Sequence, residues 1–205
     1  MEKRRTADGG RQYARRPTHS PLSTPHFVPP LTIGVVADTH VYPHGARRLP
    51  AEVPALFARF GVGLILHAGD VNTGSVLDEL AVVAPILAVS GNNDDADLSA
   101  RLPTDRRFTV GRFAFVLIHG HGGASALAVA RRVAQGGQPD CVVYGHSHIP
   151  RIDQEGETIL FNPGSATDRR WSAHFGVGLI HVTEDAIRPE LVLYGDARHL
   201  GNVGR

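Results

Sequence analysis

Short apolar runs alternate with amphipathic stretches in the first half of the chain. The runs at 31–37, 64–68 and 85–89 are rich in β-branched and aliphatic residues, a composition that is typical of strands buried on both faces. Residues 51–60 and 75–83 lie between these runs and carry apolar side chains at helical spacing. This order predicts a β-α-β-α-β unit with a parallel sheet. Polar residues follow each strand, at the edge where open α/β sheets place functional sites.

The pattern changes after residue 107. Apolar runs at 108–110 and 113–118 flank Gly111-Arg112, a two-residue turn signal that predicts a β-hairpin. The remaining predicted elements are a third helix and four strands, at 124–135, 141–144, 158–161, 175–183 and 187–194. We therefore expect a parallel first half and a more antiparallel second half, which form two sheets packed face to face with helices outside.

The two ends of the chain lack this periodicity. Residues 1–30 combine arginines, glycines and prolines, which predicts a disordered basic leader before a domain over 31–195 and a C-terminal tail over 196–205. The net charge of +1 gives no reason to expect nucleic acid as a partner. The single cysteine fits a reducing compartment, and no apolar run reaches the length of a membrane span. We therefore expect a cytoplasmic protein without a membrane partner.

Side chains that are able to bind a metal follow five of the predicted strands. Two motifs, Asp38-Thr39-His40 and His146-Ser147-His148, place ligands at i and i+2, which project to one side of an extended chain. The full set is Asp38, His40, Asp70, Asn92, His119, His146 and His148. Each motif alone is typical of a turn or a surface loop. Burying this many polar groups at one edge would be costly unless something satisfied them.

The number and chemistry of these ligands indicate the cofactor. Seven ligands exceed what one ion needs, so they indicate two metals. Imidazole, carboxylate and amide groups without a thiolate favour Mn²⁺, Fe²⁺, Zn²⁺, Co²⁺ or Ni²⁺, whereas Mg²⁺ normally prefers fewer imidazoles. We therefore expect two divalent metal ions, with manganese foremost.

The ordered motifs resemble those of the calcineurin-like metallophosphoesterase superfamily. They are Asp38-x-His40, Gly69-Asp70, Gly91-Asn92-x-Asp94, His119-Gly120-His121 and Gly145-His146-x-His148. The short spacings and Asn162-Pro163-Gly164-Ser165 resemble the compact bacterial and archaeal phosphodiesterase branch, which is related to the retromer scaffold subunit. The resemblance covers residues 31–194, so only the two ends lie outside it.

This resemblance implies a four-layer α/β/β/α sandwich with a dinuclear metal centre. Asp38, His40 and His148 would hold the first metal, Asn92, His119 and His146 the second, and Asp70 would bridge both. A bridging hydroxide would attack the phosphorus in line, while the cations offset charge on the phosphoryl oxygens. The expected function is a metal-dependent phosphoesterase that prefers phosphodiesters to monoesters and acts on a small substrate.

One position departs from many members of the family. They carry His directly after the metal-ligand Asn, whereas this chain has Asn93, whose amide donates a hydrogen bond to phosphate but cannot supply a proton. His121 or a water would then be the acid, although His121 equally fits the orientation of a ligand. Asp94 fits ligand orientation and loop structuring equally well. Arg170, like Arg169, fits a contact to substrate phosphate or a solvated surface pair.

Two other functions stay open on the sequence. The same fold serves in the retromer relative as a non-catalytic protein-interaction scaffold with a degraded site. Here all seven positions carry competent ligands, which favours an enzyme. A nuclease is favoured only by the basic leader, and the near-neutral body of the chain speaks against it.

Overall fold

The structure is a computed structural model that describes residues 24–204. These residues form two β-sheets flanked by helices. In chain order the elements are β1 (His26–Phe27), β2 (Leu31–Val36), α1 (Glu52–Arg59), β3 (Leu64–His67), α2 (Gly74–Ala81), β4 (Ile86–Ala88), α3 (Ala96–Arg101), β5 (Asp105–Val110), β6 (Phe113–Ile118), α4 (Ala126–Gly137), β7 (Cys141–Val143), β8 (Arg151–Glu155), β9 (Thr158–Asn162), β10 (Phe175–Val182), β11 (Ile187–Tyr194) and a 3-10 helix (Ala197–Asn202).

The strands form two mixed sheets. The first has the order β11-β10-β2-β3-β4, in which β2, β3 and β4 are parallel and β10 and β11 are antiparallel. The second has the order β1-β5-β6-β7-β9-β8, and its strands β6, β7 and β9 are parallel. The first half of the chain is thus parallel as predicted. The second half contains more parallel pairing than predicted, and its last two strands complete the first sheet.

Three apolar clusters separate four layers. One cluster packs α1, α2 and α3 on the first sheet, one lies between the sheets, and one packs α4 on the second sheet. Strand β2 contributes to two of them by alternation: Ile33 and Val35 face the other sheet, and Val36 faces the helices. At Gly34 an added Cβ would lie 3.0 Å from the Phe57 ring, so α1 packs closely on this strand. The predicted α/β/β/α sandwich is confirmed.

The structure differs from the sequence prediction at short elements. No element is predicted between residues 89 and 108, but helix α3 forms there, since the Asp95 side chain accepts a hydrogen bond from the Leu98 backbone nitrogen at 2.8 Å and Leu98 is buried. Helix α4 extends beyond the predicted end at residue 135 and continues through Gly136 and Gly137. Its end is at Gln138, which adopts a left-handed conformation with φ of 45°.

Both ends of the domain carry structure beyond the predicted bounds. Residues His26–Phe27, inside the predicted leader, form β1 and pair with β5. Within the predicted tail, the 3-10 helix buries Leu200 against the α1 layer. The Arg59 guanidinium donates to the Leu200 carbonyl at 2.7 Å. The predicted leader up to residue 23 lies outside the described residues. In the described part of the chain, no helix has the length and apolarity of a membrane span.

Candidate metal centre

The seven predicted ligands follow strands of both sheets and come together at one edge of the sandwich. β2, β3 and β4 lead to the ligands of the first sheet, and β6 and β7 lead to those of the second. Backbone contacts join the two sets, since the His146 backbone nitrogen donates to Asp38 Oδ2 at 2.8 Å. The Asp38 backbone nitrogen donates to the Gly69 carbonyl at 3.0 Å, which links neighbouring strand ends. The site therefore depends on the packing of the two sheets.

Asp38, His40 and His148 form a first buried group that could hold a metal ion. Asp38 Oδ1 lies 3.4 Å from His148 Nε2 and 4.0 Å from His40 Nε2. The two Nε2 atoms are 3.1 Å apart. This is the ligand set that the family resemblance implies for the first metal.

Asp38, Asp70 and His119 form a second group, so Asp38 belongs to both. His119 Nε2 lies 3.4 Å from Asp70 Oδ1 and 3.1 Å from the Asn92 side-chain oxygen. The His146 ring stacks edge-on against His119, with centroids 5.0 Å apart. Asp70 faces both groups, because its other oxygen lies 3.5 Å from His40 Nε2.

The hydrogen bonds of the rings fix where their lone pairs point. His148 Nδ1 donates to the Asp168 carbonyl, and His119 Nδ1 donates to the Ala68 carbonyl at 2.8 Å. Because a carbonyl oxygen only accepts, Nδ1 carries the proton and Nε2 of each neutral ring presents a lone pair. Both lone pairs therefore face carboxylate oxygens. Such a convergence of electron pairs requires a proton or a cation between them.

A buried carboxylate oxygen without a hydrogen-bond partner also indicates a bound cation. Within the described residues, Asp38 Oδ1 is buried and has no hydrogen-bond partner. Burying an unsatisfied carboxylate oxygen is costly, and a cation at this point would remove the cost. The residues present thus fit a divalent metal with nitrogen and oxygen ligands.

The electrostatics of the ligands follow from burial. Burial raises the pKa of Asp38 to about 8. It lowers the pKa of His40 and His146, and it lowers that of His148 to about 4. Burial alone would raise the pKa of Asp70, but hydrogen bonds from His119 and Asn93 hold it below its usual range. At neutral pH these three imidazoles are therefore in the form that binds a metal.

Backbone conformation at the site is unusual. Five ligands have a left-handed conformation with positive φ: Asp38, His40, Asp70, His146 and His148. A non-glycine residue there costs roughly 1–3 kcal/mol, and such residues concentrate at functional sites. The chain accepts this cost at the residues whose side chains converge.

Two glycines make room for the ligands. A Cβ at Gly91 would overlap the Asp70 carboxylate and its backbone nitrogen. A Cβ at Gly69 would lie 2.6 Å from His119 Nδ1, and this residue also has φ of +86°. The Gly-Asp and Gly-Asn motifs thus have a steric reason.

A family profile described as the calcineurin-like phosphoesterase superfamily domain matches residues 31–185, which is more than half of the chain. This chain belongs to the calcineurin-like phosphoesterase superfamily. A protein of Methanothermobacter thermautotrophicus, described as "Probable metallophosphoesterase", is 36% identical over 141 residues, which are 67% of this chain and 78% of the relative. The resemblance found in the sequence is confirmed.

Solved structures show the same fold at lower identity. A structure described as a novel archaeal phosphodiesterase has a TM-score of 0.62 and 23% identity, and the match covers 79% of this chain and 100% of that one. Vps29 of Entamoeba histolytica, solved with Zn²⁺, has a TM-score of 0.64 and 21% identity, with 80% and 99% covered.

Asn93 lies directly on the Asp70 carboxylate. Its backbone nitrogen donates to Asp70 Oδ1 at 2.9 Å and its side-chain amide donates to Asp70 Oδ2 at 2.7 Å. His121 lies beside two ligands, with ring centroids 5.4 Å from His119 and 6.3 Å from His146. Both residues are exposed, so a substrate at the metal groups would meet them.

Asp94 structures the loop that carries Asn92. Its carboxylate accepts hydrogen bonds from the backbone nitrogens of Asn72 and Gly91, each at 2.7 Å. These bonds join the loops after β3 and β4. Asp94 therefore holds the loop in place, and an additional role in orienting a ligand stays a prediction.

The loop after β9 contributes residues that sequence reasoning missed. The Asp168 carbonyl accepts from His148, and its carboxylate pairs with Arg47 at 3.1 Å and with Arg170 at 3.8 Å. Arg169 points elsewhere and donates to the Ala173 carbonyl at 2.7 Å. Arg47 and Asp168 stand in loops without periodicity, so no pattern in the sequence marks them.

Proposed function

We propose that this protein is a phosphodiesterase with a dinuclear metal centre. The observation that carries the proposal is the position of Asp70, whose two oxygens face different histidines, His40 at 3.5 Å and His119 at 3.4 Å. A carboxylate in this position is suited to bridge two cations. The curated relative and the archaeal structural neighbour support hydrolysis of a phosphoester.

The proposed roles follow the two groups of ligands. Asp38, His40 and His148 would hold one ion, Asn92, His119 and His146 the other, and Asp70 would bridge them. Two divalent ions, with manganese foremost, would lower the pKa of a shared water to give the hydroxide nucleophile and would offset charge on the phosphoryl oxygens. The carbonyls of Ala68 and Asp168 hold His119 and His148 in the required tautomer.

The preference for diesters rests on Asn93 and His121. The Asn93 amide is able to donate a hydrogen bond to a phosphate oxygen but has no proton to give to a leaving group. Poor leaving groups would therefore depend on His121, which we propose as the general acid because it lies beside His119 and His146. Arg170, on the loop of Asp168, is a proposed contact to the small phosphoester substrate.

A non-catalytic scaffold is the alternative on the same fold. That function does not need a buried carboxylate oxygen without a partner, nor three imidazoles with depressed pKa values around it. These features lower the stability of the fold unless a cation is bound. They favour a metal-binding site, which the enzyme requires.

The proposal is tested by metal reconstitution. We expect metal-stripped protein that is reloaded with Mn²⁺ to hydrolyse bis(p-nitrophenyl) phosphate faster than p-nitrophenyl phosphate. Asp70→Asn should lower kcat/KM for the diester by at least about 100-fold, because the bridging charge is lost. Asp97→Asn is the matched control, since Asp97 pairs with Arg101 on the exposed face of α3. Wild-type activity in Asp70→Asn, or no activity with any divalent ion, would refute the proposal.

A further inference from the structure

Two arginines converge on one carboxylate beside the first metal group. Asp168 pairs with Arg47 Nη1 at 3.1 Å and with Arg170 Nε at 3.8 Å. The three side chains are 24%, 36% and 43% exposed, respectively, so they are neither buried nor freely solvated. Together they carry one surplus positive charge. A single carboxylate also cannot occupy the five donors that each guanidinium offers.

This cluster is fixed to the site through the backbone. The Asp168 carbonyl accepts a hydrogen bond from the His148 ring, and Arg47 Nη1 lies 3.5 Å from the His40 carbonyl. The Thr167 hydroxyl donates to the Thr39 carbonyl, which ties the same two loops together. Arg47 therefore stands next to His40, and the loop that carries Arg170 stands next to His148.

Arg170 belongs to the same loop as Asp168, whose backbone carbonyl binds the His148 ring. Arg170 also has a left-handed backbone with φ of 46°. A strained backbone at a charged residue on the rim of a site is typical of a functional position.

We propose that Arg47 and Arg170, held by Asp168, form a subsite for a second anionic group of the substrate. This inference rests on the proposed phosphodiesterase function. A phosphodiester carries one negative charge, which the metal ions would take up, so the guanidinium donors are left for a further group. The forked donors of arginine match the oxygens of a phosphate. The substrate class is therefore a phosphodiester that carries an additional phosphate.

The test compares two chromogenic diesters that differ by one phosphate. They are the p-nitrophenyl ester of thymidine 5′-phosphate and the same compound with a 3′-phosphate, and both release p-nitrophenolate from the diester. With Mn²⁺-loaded protein, we expect the 3′-phosphate to lower KM about tenfold, as charge-assisted hydrogen bonds at a half-exposed site would do. In the double variant Arg47→Gln/Arg170→Gln this ratio of KM values should fall to about one.

Because both diesters are measured with the same variant, the ratio of their KM values corrects for any change in metal content or folding. Arg112→Gln is the control, because Arg112 lies over Phe113 and donates to the Asp185 carbonyl in a different part of the fold. It should keep the wild-type ratio. Equal KM values for the two diesters in the wild type, or an unchanged ratio in the double variant, would overturn the subsite while leaving the phosphodiesterase intact.

A binding measurement covers the case in which neither diester is hydrolysed. That result would refute the proposed function, and calorimetry with Mn²⁺-loaded protein would still test the subsite. Thymidine 3′,5′-bisphosphate should then bind about tenfold more tightly than thymidine 5′-phosphate, and the double variant should remove the difference. Equal affinities in the wild type would reject the subsite on their own.

Discussion

Metal binding to this protein is expected to release protons from the Asp38 carboxyl group and from His119, rather than from the other three histidine ligands. Burial raises the pKa of Asp38 to about 8, while burial lowers the pKa of His40, His146 and His148. At pH 7 these imidazoles are already neutral, but the Asp38 carboxyl still carries its proton. Because only the ionised carboxylate binds a cation, the metal must displace that proton.

The size of the effect follows from the pKa of Asp38. A group with this pKa is protonated in about nine-tenths of the molecules at pH 7 and in about a quarter at pH 8.5. Burial alone would lower the pKa of His119, but its hydrogen bond to Asp70 raises it, so His119 adds to the release. Apparent metal affinity should therefore rise at least about tenfold per pH unit below pH 8 and level off above it.

Isothermal titration calorimetry measures this release directly. Mn²⁺ is titrated into metal-free protein at pH 6, 7 and 8.5, in pairs of buffers that differ in ionisation enthalpy. The difference in observed heat gives the number of protons. Asp97→Asn, which alters a carboxylate outside the site, should give the wild-type values. Release that is large below pH 6.5 and absent at pH 7 would show that His40, His146 and His148 supply the protons and would refute the reasoning.

Two further predictions concern the glycine beside the Asp70 carboxylate and the C-terminal end of the domain. Gly91→Ala should weaken Mn²⁺ binding by at least about tenfold in calorimetry, because the new Cβ overlaps the Asp70 carboxylate. Gly74→Ala is its control, since a Cβ there meets no atom within 4 Å. Equal affinities of the two variants would show that the residues around Asp70 shift to make room for the new Cβ. Leu200→Ala should lower the free energy of unfolding by about 2 kcal/mol in urea, because Leu200 is 1% exposed and packs in the α1 layer. A loss below about 0.5 kcal/mol, as expected for the exposed His199→Ala, would mean that this segment is peripheral to the core.

The ligands were predictable because the sequence marks strand ends clearly. Strands of four to six residues lead into Asp38, Asp70 and His119, and the carboxyl ends of parallel strands meet at one edge. The resemblance to the superfamily then supplied the distribution of ligands between two ions. That distribution stays a prediction, because Asp38 belongs to both groups in the structure.

The loops that surround the ligands were not predictable in the same way. The ion pair between Arg47 and Asp168 joins loops that are far apart in the sequence. Neither loop has the hydrophobic periodicity from which its position in the fold could be predicted. The backbone carbonyl of Asp168 orients His148, so the type of side chain at position 168 gives no indication of this role. Helix α3 is too short for a helical period to show, and it depends on the cap at Asp95.

The features of the site are hard to explain by stability alone. A chain selected only to fold would place glycine or asparagine at left-handed positions and would pair every buried oxygen. Here Asp38 has a left-handed backbone, a buried orphan oxygen and a pKa raised to about 8 by burial. Each of these features destabilises the metal-free fold, and a cation beside Asp38 Oδ1 would relieve the last two together. The packed sandwich therefore carries a cost that a cation bound at Asp38 would offset.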